Sequence, residues 1–280
     1  MTDTLPGIRP AGQLDWIRMM LFSFPGWGKS SLVGTAAQLG RLLIIRSSMD
    51  LLPTRILKVP GVDEYVADTW EKMLEVQDFL RMSNHGYQWV AWDCPSVAQD
   101  VLLDDIWEGT VAAKPTRAWV VDDRGRKVRP NTSPTSGLDQ GEYGRNMERI
   151  QQWVRHIVGA QTFHFIMTGH AWEGPNRVDD VGGVFLQPWI QGKGMISKLC
   201  GYCNIITFLE VVEEGEEDEG MRRAHFRPNS RWYAKDLYDA FPDGYLDDPT
   251  MPKIVSAIES ARGKALGAPK PVIAGRRRAR

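Results

Sequence analysis

The sequence predicts an α/β protein whose central sheet is mostly parallel and flanked by helices, with an antiparallel hairpin near the C-terminus. Short apolar runs alternate along the chain with segments of helical periodicity, as strands and helices do in this class. The stretch FSFPGWGKSSLV, residues 22–33, joins the first apolar run to a helix through a glycine-rich loop, and a second apolar run follows. Strand, loop, helix and strand in this order form a βαβ unit. Two later runs flank an acidic segment, EEGEEDE, which indicates a hairpin.

The first half of the chain contains three predicted strands, at 16–22, 41–45 and 87–92. The helix after the glycine-rich loop is expected at 29–39. A second, amphipathic helix is expected before the third strand, with Gly86 near its end. Its apolar face is formed by residues that recur at helical spacing, namely Val66, Trp70, Met73, Leu74 and Leu80.

The second half continues the alternation of helices and strands. Its most regular helix is predicted from apolar residues at helical spacing, namely Tyr143, Met147, Ile150, Val154 and Ile157. The antiparallel hairpin joins a strand at 204–212 to its partner at 221–226. The other predicted elements are helices at 97–107, 195–199 and 252–261, a strand at 163–168 and a hairpin insertion at 173–188.

The chain has the length of one large domain with insertions. Its 280 residues are 42% hydrophobic and 25% charged, which is an ordinary globular composition. We expect an N-terminal extension at 1–15, one domain at 16–262, and a flexible basic tail at 263–280 that ends in GRRRAR. Residues 114–140 and 173–190 contain many turn-forming and charged residues, so they are expected to be inserted loops.

Composition narrows the environments and partners to be considered. A formal net charge of −1 means that nucleic acid could be bound only through local basic patches. Three cysteines without a secretory signal favour a reducing cytoplasm. Cys200 and Cys203 have C-x-x-C spacing without a second ligand pair, so we interpret them as small buried residues. No run reaches transmembrane length, and we expect a cytoplasmic protein without a membrane partner.

The glycine-rich loop resembles the phosphate-binding pattern G-x-x-x-x-G-K-[ST], with serine in place of the first glycine. Its glycines let successive backbone N–H groups curl around phosphate oxygens. Lys29 would reach the terminal phosphates, and Ser30 would place its hydroxyl on Mg²⁺. A small residue can serve at position 23, where the strand ends. The residues expected to bind the nucleotide are Ser23, Phe24, Pro25, Gly26, Trp27, Gly28, Lys29, Ser30 and Ser31.

Acidic residues near the ends of neighbouring strands could complete such a site. Asp93 follows a buried strand and is the expected second anchor for Mg²⁺, although Pro95 and Ser96 after it also allow a helix N-cap. Asp50 and Glu142 are candidates for orienting water. His170, with Thr168, follows the predicted fourth strand and could sense the γ-phosphate, because ligands of open α/β sheets bind at the carboxyl ends of strands.

Five segments occur in an order that resembles a known family. They are the loop PGWGKSS, the strand-end Asp93, the strand FIMTGH, the run QGK at 191–193 and the run WYAKD at 232–236. Together they resemble the phage-encoded P-loop nucleotide-binding proteins of the RecA-like type, which many phages carry as single-strand annealing recombinases. The resemblance covers roughly residues 16–258.

The resemblance implies a RecA-like ATPase fold, ATP and Mg²⁺ as cofactors, and a homo-oligomer in the form of a ring or filament. It also implies single-stranded DNA as partner, and phage or host replication and recombination proteins as further partners. In such assemblies a basic residue of one subunit reaches the nucleotide of the next, and Arg231 and Lys235 match that place. Many members have arginine after Lys-Asp where this chain has Leu237, which favours Lys235.

DNA contact would have to come from loops or from the tail. The candidates are the basic run at 124–129 with Trp119 nearby, the insertion around Arg177, and the C-terminal tail, because positive loops with aromatics suit backbone tracking and base stacking.

Two other functions stay open at this point. One is a helicase-like, helicase-loader or packaging-related NTPase, and the other is a nucleotide-binding switch or scaffold with little hydrolysis.

Overall fold

A computed structural model of the protein describes most of the chain between residues 16 and 267. The described residues are 16–47, 56, 58–82, 84–113, 120–121, 124–125, 127–128, 140–175, 184–192, 194–212 and 220–267. Asp50, Trp119, Arg177, the acidic run at 213–219 and the basic tail lie outside them. In these ranges, no helix combines the length and the apolar character needed to cross a membrane.

Ten of the described strands form one sheet, in the order β12-β10-β9-β1-β7-β4-β2-β3, with β11 paired to β9 and β8 paired to β7. The strands in chain order are β1 (Arg18–Ser23), β2 (Leu42–Arg46), β3 (Val62–Val66), β4 (Trp89–Asp93), β5 (Val120–Val121), β6 (Lys127–Val128), β7 (His164–Pro175), β8 (Val184–Pro188), β9 (Ile205–Val211), β10 (Arg222–His225), β11 (Lys235–Asp236) and β12 (Tyr245–Asp247). The short strands β5 and β6 pair only with each other.

The central part of the sheet is parallel. Strand β1 pairs in parallel with β7 and β9, β4 with β7 and β2, and β2 with β3. Strands β9 and β10 form the predicted antiparallel hairpin. The predicted α/β class, with a mostly parallel sheet and a hairpin near the C-terminus, is therefore confirmed. Strands β1 and β2 of the predicted βαβ unit are parallel but not adjacent, since β7 and β4 lie between them.

Helices cover both faces of the sheet. They are α1 (Lys29–Gly34), which continues as a 3₁₀ turn at Thr35–Gln38, α2 (Trp70–Arg81), α3 (Pro95–Ala113), α4 (Gln140–Ala160), α5 (Met195–Gly201) and α6 (Met251–Gly267). Successive residues of β1 alternate between two cores: Met20 and Phe22 pack with Trp153 of α4, whereas Met19 and Leu21 pack with helices α1 and α6. Burial on both faces explains the continuous apolar runs that predicted the central strands.

One prediction in the first half was wrong. Val66, which was placed on the face of an amphipathic helix, ends the edge strand β3, and that strand was not predicted. The helix α2 begins at Trp70, after Thr69 caps it by accepting a hydrogen bond from the Lys72 amide at 3.2 Å. Strand β3 is half-exposed at the edge of the sheet, so it lacks the apolar run that identified the buried strands. The helix ends at Arg81, before the turn that contains Gly86.

Strand β7 is longer than predicted and has two parts. Its first part pairs in parallel with β1 as far as His170, which lies beside Ser23. From Ala171 onward it pairs with the antiparallel strand β8, which confirms the predicted hairpin insertion. His170 was expected at the C-terminal end of the fourth strand. It ends the part of β7 that pairs with β1, and the strand then continues as a two-stranded ribbon, here called the β7–β8 ribbon (171–175 and 184–188).

A partly buried histidine lies at the amino end of β7. His164 Nδ1 accepts a hydrogen bond from the Ile17 amide at 3.0 Å, and its ring stacks on Trp89 with ring centroids 4.3 Å apart. Burial lowers the pKa of His164 to about 4, and the positive charge of Arg262 contributes in the same direction. The fold therefore requires the neutral ring, because a protonated Nδ1 cannot accept the bond.

We expect stability to fall as the solution is acidified through the range in which unfolded histidine gains its proton. In the unfolded chain His164 gains its proton below pH ~6.5, whereas in the folded chain it gains the proton only near pH ~4. Between pH 7 and pH 5 the free energy of unfolding should drop by about 2 kcal/mol from this group alone. Urea unfolding at each pH measures the free energy of unfolding. His164→Gln is the control, and it should lack the part of the pH dependence that comes from this histidine. An equal slope in both proteins would contradict the assignment.

Candidate nucleotide-binding site

The loop between β1 and α1 has the backbone conformation that the phosphate-binding pattern requires. Gly26 and Gly28 have φ values of 83° and 97°, in the left-handed region that glycine adopts without a steric penalty. Gly28 is the N-cap of α1, and its carbonyl accepts the first helical bond from the Leu32 amide at 2.9 Å. The positive end of α1 and its unpaired N–H groups therefore face the space above the loop.

Lys29 is folded back into the loop. Its side chain is only 7% exposed, and Nζ donates to the carbonyl oxygens of Ser23 at 3.0 Å and Phe24 at 3.2 Å. The Ser23 hydroxyl lies 3.3 Å from the same Nζ. Burial lowers the pKa of Lys29, and the negative charge of Asp93 opposes this effect. The residue that departs from the glycine pattern, Ser23, thus adds an oxygen to the group that holds the lysine.

Asp93 joins the loop to the neighbouring strand. Ser30 Oγ donates to Asp93 Oδ2 at 2.8 Å, and Thr168 Oγ1 donates to Asp93 Oδ1 at 2.6 Å. One carboxylate oxygen is therefore bound by the loop and the other by β7. These contacts suit an anchor for Mg²⁺ better than a helix N-cap. Thr168 was considered only as a γ-phosphate sensor, and its contact with Asp93 was not foreseen.

The donor set at this place suits magnesium. Mg²⁺ prefers oxygen ligands and binds nucleotide phosphates with one or two protein groups, typically a loop hydroxyl and a strand-end carboxylate. The Ser30 hydroxyl and the Asp93 carboxylate are such a pair and are already in contact. These two residues could hold the ion, while Thr168 fixes the orientation of the carboxylate.

The candidate γ-phosphate sensor, His170, and the two candidates for orienting water, Glu142 and Asp50, differ in their surroundings. The His170 amide donates to Ser96 Oγ at 3.1 Å, and its carbonyl accepts from the Trp189 amide at 2.7 Å, so its backbone is fixed beside Ser23. Glu142 is buried in the first turn of α4 and lies 3.5 Å from Arg145 of the same helix. Asp50 lies outside the described residues.

The comparison with known protein families gives one decisive match. A family described as an AAA domain matches residues 16–238, which include the loop and Asp93. The chain belongs to the AAA domain family. No curated protein matches it.

Two solved structures are similar to this AAA domain at low identity. The RadB recombinase shares 10% identity at a TM-score of 0.44, over 76% of this chain and 84% of that chain. The flagellar accessory protein FlaH from Methanocaldococcus jannaschii shares 7% identity at a TM-score of 0.35, over 83% of this chain and 89% of that chain.

Family membership and the sheet order together agree with the predicted fold class, a P-loop core with a mostly parallel sheet flanked by helices. They also agree with the general prediction of a nucleotide-binding P-loop ATPase. The division of the chain into an extension, a domain and a tail stays a prediction, as do the individual roles of the site residues.

The two basic residues considered for a contact between subunits lie in different places in the AAA domain. Lys235 pairs through β11 with the start of β9, at the end of the sheet opposite the loop, and its Nζ donates to the Cys203 carbonyl at 2.6 Å. Arg231 is exposed next to the β7–β8 ribbon, where its carbonyl accepts from the Leu186 amide at 2.7 Å. Arg231 therefore has the freer side chain, contrary to the preference for Lys235.

The cysteine pair lies in the core near Lys235. Cys200 and Cys203 are both buried and free of disulfides. Burial raises the pKa of the Cys200 thiol to about 12 and that of Cys203 well above its usual range. Both are therefore neutral, packed thiols at physiological pH.

Thr168 and Thr207 provide a matched test of the contact with Asp93. They flank Leu21 on the two sides of β1, and both are fully buried. Within the described part of the chain, the Thr207 hydroxyl has no hydrogen-bond partner.

Thr168→Val should lower the free energy of unfolding by about 1.5–3 kcal/mol, because it removes a hydrogen bond to a charged group. Thr207→Val should be neutral or stabilising.

Urea unfolding of the two variants at pH 7 measures the difference. Equal effects of the two substitutions would show that the Thr168 hydroxyl contributes nothing beyond its volume.

Proposed function

We propose that this protein is an Mg²⁺-dependent ATPase that acts as an oligomer on single-stranded DNA in phage recombination or annealing. The observation that carries the ATPase part is the contact of Asp93 with Ser30 of the phosphate loop and with Thr168 of β7. The DNA part is supported by the resemblance and by exposed aromatic residues next to the same strand.

Nucleotide binding would exchange the partners of Lys29. In the free protein its ammonium group is held by neutral carbonyl oxygens. A phosphate oxygen is a stronger acceptor because it carries charge, so the terminal phosphates would attract Nζ out of this position. The N–H groups of the loop and of the first turn of α1 would bind the remaining phosphate oxygens.

Hydrolysis requires charge stabilisation and an oriented water. Bound Mg²⁺ would neutralise charge on the β- and γ-phosphates, and Ser30 and Asp93 would hold it. His170 lies beside Ser23, where β7 leaves β1, and this position makes it the described candidate nearest to the loop for contact with water or the γ-phosphate. Glu142 and Asp50 are the acidic alternatives for this role.

Assembly would complete the site from a second subunit. Arg231 is our candidate for the basic residue that reaches the neighbouring nucleotide, because its side chain is exposed whereas Lys235 is bound to the Cys203 carbonyl. An arginine supplied in this way stabilises transition-state charge. ATP at the subunit interface would then couple nucleotide binding to the formation of a ring or filament.

The β7–β8 ribbon is the candidate surface for single-stranded DNA. Trp172 of β7 is 45% exposed and Trp189, directly after β8, is 38% exposed. Exposed aromatic rings bind single strands because bases of any sequence stack on them. Strand β7 also carries Thr168 and His170, so one strand would contact both the ATP site and the DNA.

Replacement of Lys29 tests the ATPase. We expect Lys29→Ala to abolish ATP turnover, measured as phosphate release with Mg²⁺ and with or without single-stranded DNA, because the cation at the terminal phosphates is lost. Lys253→Ala, at an exposed lysine of α6, is the control and should retain turnover. Unchanged turnover in Lys29→Ala would refute the site. Tight ATP binding with negligible turnover would identify a nucleotide switch instead.

Replacement of Trp172 tests the DNA surface. Trp172→Ala should weaken binding of a fluorescent oligonucleotide by about tenfold, since stacking contributes on the order of 1–3 kcal/mol per base. Phe79→Ala, at a 37% exposed ring on α2, is the matched control and should bind as the original chain does. Equal affinities in all three proteins would remove the ribbon from the proposal, and ATP-driven unwinding of duplex DNA would favour the helicase-like alternative.

A further inference from the structure

Arg222 lies over the phosphate loop of its own chain. A Cβ atom at position 28 would lie 2.8 Å from Arg222 Nη1 and 3.3 Å from Cδ, so the guanidinium group approaches Gly28 in the space that any side chain would occupy. The sequence offered little sign of this contact. Arg222 begins β10, which is separated from the loop by almost 200 residues, and only the pairing of β10 with β9 brings it there.

The backbone of Arg222 is fixed by hydrogen bonds to two neighbouring segments. Arg222 lies beside Val211 of β9, and its carbonyl accepts from the Asp248 amide at 2.8 Å. The adjacent Arg223 forms an ion pair with Asp247 at 2.6 Å. Among the residues that the structure describes, no carboxylate forms such a pair with Arg222. An arginine that is held in place by two neighbouring segments next to a phosphate-binding loop is suited to bind an anion.

Arg222 also borders a cavity along α1. The cavity has a volume of about 260 Å³, and the polar residues that line it with Arg222 include Ser31, Thr35 and Gln38. Its lining follows α1 from Ser31 and the 3₁₀ turn after it, and residues near Thr250 close the other side. Arg222 therefore borders this cavity and also approaches Gly28 of the loop.

We propose that Arg222 is a nucleotide-binding residue that contacts the α- and β-phosphates in its own subunit. The inference rests on the proposed nucleotide site. In phosphate loops the backbone cradles the α- and β-phosphates, whereas the lysine reaches the β- and γ-phosphates. Arg222 approaches the loop at Gly28, and so it faces the part of the nucleotide that ATP and ADP share.

This position predicts a specific pattern of affinity. A γ-phosphate sensor strengthens the binding of ATP alone, whereas a residue at the α- and β-phosphates strengthens ATP and ADP by the same factor. Arg222→Gln keeps a polar side chain but removes the charge. It should raise the dissociation constants of Mg-ATP and Mg-ADP by a common factor of about ten to a hundred, the range expected for a hydrogen-bonded charge pair.

The experiment measures the dissociation constants of both nucleotides by calorimetry for five proteins. They are the original chain, Arg222→Gln, Arg222→Lys, the adjacent control Arg223→Gln, and Lys29→Ala. Arg222→Lys should recover part of the affinity, because it restores the charge without the planar fork. Arg223→Gln should stay within about twofold of the original chain, well below a tenfold step. Thermal unfolding without nucleotide establishes that each variant is folded.

The outcomes separate this inference from the proposed function. If the original chain binds both nucleotides, Lys29→Ala loses ATP, and Arg222→Gln binds both as the original does, only the role of Arg222 is overturned. Tighter binding in Arg222→Gln would also overturn it and would indicate that the arginine obstructs the loop. Loss of ATP affinity alone would overturn the α- and β-phosphate assignment. Failure of the original chain to bind either nucleotide would overturn both proposals.

Discussion

The hydrogen bonds of the Asp93 carboxylate are the interactions on which the rest of the site depends. Asp93 ends β4, and its two oxygens are bound by Ser30 at the start of α1 and by Thr168 of β7. Three elements that are distant in sequence are thereby fixed relative to one another at the carboxyl ends of the parallel strands. The sheet order makes this possible, since β7 lies between β1 and β4, so that the carboxylate must bridge a whole strand to reach the loop.

The strand order of the sheet also explains which parts of the site could be predicted from the sequence and which could not. The phosphate loop and the strand before Asp93 are encoded in consecutive residues, and their spacing or apolar character is visible without a fold. The contact of Thr168 with Asp93 depends on which strand lies beside β4. That is a property of the whole topology, set by strand neighbours that no local pattern specifies. The hairpin that contains Arg222 was predicted, but its position over Gly28 depends on the pairing of β9 with β1, which no local pattern indicates.

The errors have physical causes too. The edge strand β3 was missed because an edge strand buries little, and its sequence VDEYV contains two adjacent acidic residues instead of an apolar run. The choice of Lys235 over Arg231 for the contact between subunits stays a prediction. It came from a place in a short motif, whereas the Lys235 ammonium group donates to a carbonyl at the end of the sheet opposite the loop. Motif position gives the order of residues along the chain, but not which ends of the strands they reach.

Lys29 and strand β7 indicate how the site could respond to its ligand. A cation buried among neutral carbonyl groups is incompletely compensated for lost hydration, so the free loop is in a state that a phosphate would stabilise. Release of Lys29 would free the Ser23 and Phe24 carbonyls, and Ser23 lies beside His170 of β7. The strand continues without interruption into the ribbon that exposes Trp172. A shift of the loop would therefore act on the ribbon through one strand. Continuous backbone thus connects the proposed nucleotide site with the proposed DNA surface.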